Sequence, residues 1–146
     1  MPKILVIEDD VAFCKLVEKF LTKNGYEIAT AFSAEEARNK TKIEPFDLIL
    51  TDLRLPDTDG MTLMSEFKTD FPSTPVVLMT GYSDINTAVK AIKKCAADYV
   101  SKPFNPDEVL IVVANALKNR QVQAVPEQIS TKKKQSDFEK NSKVNF

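Results

Sequence analysis

The stretch LILTDLRLPDTDG, Leu48 to Gly60, holds Asp52, Asp57 and Asp59, and Asp47 stands just before it. A carboxylate can bind a metal, move a proton or attack an electrophile, and its setting decides which. Asp57, Asp59, Gly60 and Glu66 fall where an EF-hand loop has its third, fifth, sixth and twelfth residues, but the first ligand position would be Leu55, which offers no side-chain oxygen. Calcium is therefore set aside. Asp57 and Asp59 read instead as residues that shape the turn and cap the helix after it, with Gly60 taking an unusual backbone angle. Asp47 follows Pro45-Phe46 and reads as a strand boundary. Asp52 differs, because it ends the aliphatic run LILT, at the carboxyl end of a strand, where open α/β sheets place their ligand crevice.

Other groups arrive at the same edge by the same logic. Glu8-Asp9-Asp10 follow the run ILVI, Thr80 follows VVLM, and Lys102 follows DYVS. Each alone could be a solvated loop residue. Together, two carboxylates from one strand end, a third from a neighbouring strand, a hydroxyl and an ammonium suit a hard divalent cation beside a phosphoryl group. Mg²⁺ prefers few carboxylates and keeps its waters, which matches this set.

Composition narrows the chemistry further. The chain has 146 residues, 43% of them hydrophobic, enough for one domain with a core and a tail. With Lys+Arg 20 against Asp+Glu 21 the net charge is -1, so no basic field points to nucleic acid or to an anionic membrane. The apolar run near the N-terminus is too short for a signal peptide, and no apolar stretch approaches the roughly 20 residues of a membrane span. A cytoplasmic location is expected. Cys14 and Cys95 lie far apart without a CxxC motif and read as small apolar side chains, not a disulfide. Histidine is absent, which rules out Ser-His-Asp triads, imidazole metal ligands and a phosphohistidine carried by this chain.

The elements that must position these groups follow from periodicity. Strands are expected at Ile4–Ile7, Ile28–Ala31, Leu48–Thr51, Val76–Met79 and Tyr99–Ser101, each followed by a helical pattern, as in βα units around a parallel sheet. Phe13, Leu16, Val17, Phe20 and Leu21 mark the apolar face of the first helix, and Gly25 its C-terminal cap. Ser33 and Glu36 form a capping box for the second; Met61, Leu63, Met64 and Phe67 carry the third. Ser83 caps the fourth, built on Ile85, Ala88, Val89 and Ile92. Asn105-Pro106-Asp107-Glu108 opens the fifth, through Val109, Val113 and Leu117, and Pro126 should end it. The sequence after Pro126 is polar, with Lys132-Lys133-Lys134. It reads as a linker or disordered tail, giving a unit of residues 1–124 and a tail of 125–146.

In this order and spacing, ILVIEDD, DLILTDLRLPDTDG, VVLMTGYSD and DYVSKPF closely resemble the receiver domain of two-component response regulators, from Pro2 to Gln123. The resemblance implies a flavodoxin-like, doubly wound (βα)5 fold with strand order 2-1-3-4-5, an order stated for this fold group in general. It implies that Asp52 accepts a phosphoryl group, and that Glu8 and Asp9 hold Mg²⁺ together with the Asp52 side chain and the Arg54 carbonyl. Thr80 and Lys102 would contact the phosphoryl oxygens, and Tyr99 would swing inward with Thr80 as the switch. Lys102-Pro103 resembles the family's cis peptide. One departure is Cys95, where the family usually has glycine before A-x-D-Y.

The implied donor is a phosphohistidine on a separate histidine kinase, in keeping with the lack of histidine here. The chain would be a signalling phosphoacceptor with no activity beyond self-phosphotransfer and self-dephosphorylation. MTGYSDINTAVKAIK most resembles receivers of AAA+ enhancer-binding transcriptional activators, which points to transcription as output and to homodimerisation through helix four, strand five and helix five. No DNA- or ATP-binding motif is present, so this chain alone is expected to bind neither nucleic acid nor nucleotide. The tail is either the free end of a stand-alone receiver acting by partner binding or a linker cut before an effector domain, and the second is favoured. A haloacid-dehalogenase-type phosphatase also uses an aspartate nucleophile, Mg²⁺, Thr/Ser and Lys. It needs a general acid two residues after the nucleophile, where this chain has Arg54. A flavin-binding module would need a glycine- and hydroxyl-rich loop after the first strand, where this chain has acids that repel phosphate.

Overall fold

A computed structural model describes residues 1–81, 84–102 and 105–129, with 121–129 by backbone alone. Five strands, β1 (Lys3–Ile7), β2 (Glu27–Ala31), β3 (Leu48–Asp52), β4 (Val76–Thr80) and β5 (Asp98–Ser101), alternate with five helices. The helices are α1 (Val11–Lys23), α2 (Ala34–Ile43), α3 (Gly60–Asp70), α4 (Ile85–Lys94) and α5 (Pro106–Ile129). All strand pairs are parallel and the order is β2-β1-β3-β4-β5, as expected. Asp52 and Thr80 prove to be the last paired residues of their strands, Asp52 opposite Met79 and Thr80 opposite Ser101.

The two-residue period of each strand sorts its side chains between two layers. Leu5, Ile7, Ile49, Val76 and Leu78 face a core closed by α2, α3 and α4 through Ala34, Ala37, Leu63, Met64, Phe67, Ala88 and Ala91. Ile4, Val6, Leu48, Leu50, Val77, Met79 and Val100 face the other core, closed by Cys14, Val17 and Leu21 of α1 and Val109, Val113 and Leu117 of α5. Because helices cover both faces, the central strands β3 and β4 are buried at every position and read as continuous apolar runs.

Caps set where the helices begin and end. Asp10 accepts the Phe13 N–H at the start of α1, and Ser33 accepts the Glu36 N–H at the start of α2. At the far end of α1, Gly25 at φ 98 donates to Thr22 and Tyr26 donates to Leu21, the paired bonds of a Schellman end that glycine alone makes without strain. Asn105 Oδ1 accepts from Asp107 and Glu108 N–H at the start of α5.

Several local expectations are corrected. Leu16 is 58% exposed and so leaves the apolar face of α1, which consists of the buried Cys14, Val17 and Leu21 flanked by the half-buried Phe13 and Phe20; Val89, expected on the core face of α4, is 39% exposed. α5 continues to Ile129, past Pro126. A proline removes one donor and crowds the preceding turn, which can kink a helix without ending it. The cap expected of Ser83 and the cis peptide expected at Lys102-Pro103 lie outside the described residues. Among the described residues, no helix is long and apolar enough to cross a membrane.

Candidate functional site

Parallel strands deliver their carboxyl ends to one edge of the sheet, so Glu8, Asp52, Thr80 and Lys102 converge there from β1, β3, β4 and β5. Glu8 is 1% exposed, Asp52 8% and Thr80 0%, whereas Asp9 is open to solvent. Carboxylate oxygens of Glu8, Asp9 and Asp52 lie within 4.8 Å of one another. Lys102 reaches into this cluster, its Nζ 2.5 Å from Glu8 Oε1 and 3.1 Å from Asp52 Oδ2. The backbone N–H of Arg54 points at Asp52 Oδ1 over a long 3.4 Å. The Thr80 hydroxyl donates to the Gly81 carbonyl, and the Thr80 carbonyl accepts the Lys102 N–H, which ties the ends of β4 and β5 together.

Electrostatics in the cluster are unbalanced. Burial pushes the Glu8 carboxyl up to about 7; the Lys102 ammonium and the Asp10 N–H oppose that shift, and the Asp52 charge adds to it. Burial pulls the Lys102 ammonium down, but the facing Glu8 and Asp52 carboxylates outweigh it and leave its pKa raised. Among the described residues, Lys102 pairs with Glu8 and Asp52 while Asp9 completes the acidic cluster, so the cluster can take further positive charge. Cys14, on the nearby helix, is a free, buried thiol, as expected of a core residue, and burial and the surrounding acids push it up to about 11. Cys95 is also free, half-buried at the C-terminal end of α4.

The aspartates outside this cluster are divided differently from the sequence reading. Asp59 caps α3 by accepting the Thr62 N–H at 2.7 Å, as expected. Asp57 does not serve α3: its two oxygens accept the Ala34 and Glu35 N–H groups of α2, both at 2.9 Å. Those bonds hold its carboxyl below the usual range. Gly60 has no positive φ, which overturns the expectation of an unusual angle; it is needed because a Cβ there would lie 2.5 Å from the Asp52 carbonyl oxygen. Tyr99 is half-buried against the core under α4.

Three relationships escaped the sequence reading. Arg54 forms a two-pronged ion pair with Asp84 at 2.8 and 2.7 Å, joining the loop after β3 to the start of α4. Both Asp84 oxygens are engaged there, so Asp84 occupies the N-cap position of α4 without capping it. The Lys102 ammonium also lies 4.7 Å over the Phe13 ring. At the opposite end of the sheet, Arg120 of α5 binds Asp47 at 2.7 Å, while the Lys3 N–H donates to the other Asp47 oxygen. No local pattern marks such pairs, whose members are brought together by strand order.

The chain is 37% identical over 123 residues to the transcriptional regulatory protein ZraR of Klebsiella oxytoca, covering 84% of this chain and 28% of that protein. It is 37% identical over 122 residues to the alginate biosynthesis transcriptional regulatory protein AlgB of Pseudomonas putida, covering 84% of this chain and 27% of that one. The chain thus spans about a quarter of the length of these relatives. The crystal structure of the receiver domain of NtrX from Brucella abortus superposes with a TM-score of 0.76 at 37% identity, covering 79% of this chain and 98% of that one. Residues 4–114 match the response regulator receiver domain, from within β1 to within α5, and the chain belongs to that family.

Proposed function

We propose that Asp52 is the phosphoacceptor of this receiver domain, taking a phosphoryl group from a phosphohistidine on a partner histidine kinase. The observation that carries this reading is the approach of Lys102 Nζ to Asp52 Oδ2 at 3.1 Å, inside a cluster where Glu8 and Asp9 also converge. An Asp52 oxygen attacks phosphorus, the P–N bond breaks, and the imidazole leaves with its electron pair. Lys102 offsets the negative charge of the transferring group and keeps the acceptor carboxylate oriented. Burial of Asp52 restricts water at the acceptor oxygen. The donor set is all oxygen, acidic and short of positive charge, which fits Mg²⁺ held by Glu8, Asp9, the Asp52 side chain and the Arg54 carbonyl. When bound, the cation supplies further charge neutralisation at the phosphoryl oxygens.

The product places a larger, more negative group beside Thr80 at the end of β4. Thr80 then exchanges its bond to Gly81 for one to the phosphoryl group, and Tyr99 turns inward behind it, shifting a two-state equilibrium. The surface of α4, β5 and α5, which carries the exposed Val89 and Ile111 and the half-buried Ile92 and Tyr99, then pairs with a second copy. Residues 1–124 form the signalling unit and 125–146 lead to an output, which the relatives' names suggest is transcription. A phosphatase of the haloacid-dehalogenase type is disfavoured, since Arg54 is a permanent cation engaged with Asp84.

The test is intact-mass measurement after treatment with a small phosphodonor and Mg²⁺. A single phosphoryl adduct is expected on the wild type and none on Asp52→Asn; an adduct of equal yield on the variant overturns the assignment.

A further inference from the structure

We propose that Phe13 is a positioning residue for Lys102: its ring is a platform that holds the ammonium over the Asp52 carboxylate. The inference rests on the reading of Asp52 as acceptor. The ammonium lies 4.7 Å from the Phe13 ring centroid while it contacts Glu8 and Asp52. A cation over a ring face at this range is attracted by the ring quadrupole, more strongly when partly shielded from water, as Lys102 is. The carboxylates draw the ammonium from one side and the ring covers another. A lysine otherwise keeps many rotamers, and each one removed leaves more of the population aimed at the acceptor.

The backbone that carries the ring is tied to Glu8 through Asp10. Glu8 Oε1 accepts from Lys102 at 2.5 Å, and Glu8 Oε2 accepts the Asp10 N–H at 3.0 Å. Asp10 Oδ1 in turn accepts the Phe13 N–H at 3.1 Å as the cap of α1, and the Phe13 ring meets Lys102 again. The contacts close into a circuit of Glu8, Asp10, Phe13 and Lys102, and the ammonium joins Asp52 to it. Asp10 lies outside the Glu8, Asp9 and Asp52 cluster, yet it caps the first turn of α1, from which the ring projects. The half-buried setting of Phe13 against the α1 and α5 core keeps the ring from drifting.

The experiment compares wild type, Phe13→Leu, Phe13→Tyr and a protein carrying pentafluorophenylalanine at position 13, each confirmed folded by circular dichroism. Two readouts are taken: the NMR shift of the Lys102 ε-methylene protons, assigned with Lys102→Ala, and the rate of Asp52 modification by acetyl phosphate with Mg²⁺. Ring-current shielding of those protons is expected in wild type and Phe13→Tyr and lost in Phe13→Leu. The transfer rate should fall about two- to thirtyfold in Phe13→Leu, the range spanned by a cation–ring contact, and recover in Phe13→Tyr. The fluorinated ring keeps nearly the same shape but reverses the quadrupole, so it should transfer as slowly as Phe13→Leu; it also decides the case should Phe13→Leu fail to fold. Wild-type rates in both Phe13→Leu and the fluorinated protein would overturn the platform while leaving Asp52 as acceptor. No modification of the wild type would overturn the acceptor assignment, and the proposal that rests on it, even where the NMR arm shows the ring contact.

Discussion

Gly60 stands so close to Asp52 that a Cβ on it would sit 2.5 Å from the Asp52 carbonyl oxygen and 2.9 Å from the Leu53 Cα. The Gly60 N–H also donates to the Leu53 carbonyl at 2.7 Å. The start of α3 is thus pressed against the end of β3. Because the obstacle is backbone, a side chain at 60 must displace the strand end itself. Gly60→Ala is expected to lower stability by about 1–3 kcal/mol and to slow Asp52 modification. Denaturant midpoints and acetyl phosphate kinetics check this; an unchanged midpoint would mean that the two segments can separate freely.

Metal binding should divide the aspartates into two sets. Asp9→Asn and Glu8→Gln are expected to weaken Mg²⁺ affinity about tenfold or more, since each removes a charge from a small acidic donor set. Asp57→Ala and Asp59→Ala should leave it near the wild-type value. The cap removed with Asp59 should still lower stability by about 1 kcal/mol. Titration calorimetry with Mg²⁺ separates the sets, and equal losses for Asp9→Asn and Asp59→Ala would place the metal elsewhere.

Lys102→Ala and Thr80→Ala should fail at different stages. Without the ammonium the modification rate is expected to fall about a hundredfold, the usual cost of losing one preorganised donor. Thr80→Ala should accept the phosphoryl group but show smaller spectral changes at Tyr99. A Thr80→Ala protein whose Tyr99 responds as in wild type would remove Thr80 from the switch.

At the other end of the sheet, Asp47 predicts a pH dependence. Burial pushes its carboxyl up, but Arg120 and the Lys3 N–H outweigh burial and hold it below the ordinary value. A group depressed in the folded state contributes stability that is present above its unfolded pKa of about 3.9 and is lost as pH falls through the folded value. Arg120→Ala should therefore be less stable than wild type at neutral pH, with the gap closing below about pH 4. The effect will be small, because the Asp47 side chain is 39% exposed. A gap that persists unchanged into acid would assign the loss to packing of α5.

Phosphorylation should alter self-association. Light scattering with and without a phosphoryl mimic on Asp52 is expected to show dimer only in the modified state, and Ile111→Glu should abolish it. Monomer in both states would overturn pairing through this surface and favour action through a different partner.

The sequence by itself determined the strands and most of the helix starts, which rest on near neighbours. Aliphatic runs such as LILT and VVLM specify strands because burial on both faces leaves no place for polar residues, and Gly25 and Asn105 mark helix ends because caps act within a few positions. The absence of histidine was decisive at the level of composition, and the four ordered motifs named the strand ends at which Glu8, Asp9, Asp52, Thr80 and Lys102 stand. Only the tertiary structure decided what each of these groups touches. Asp57 lies nearest in sequence to α3, yet it serves the N-terminus of α2, because β1 lies between β2 and β3 and the chain returns over the same edge. Leu16 fits the helical period but points to solvent, because the period gives spacing and not the width of the face a sheet can cover. Lys102 with Phe13, Arg54 with Asp84, and Asp47 with Arg120 each join residues from separate elements. Such contacts depend on the order and twist of the sheet, to which propensity and periodicity, both local in range, are blind.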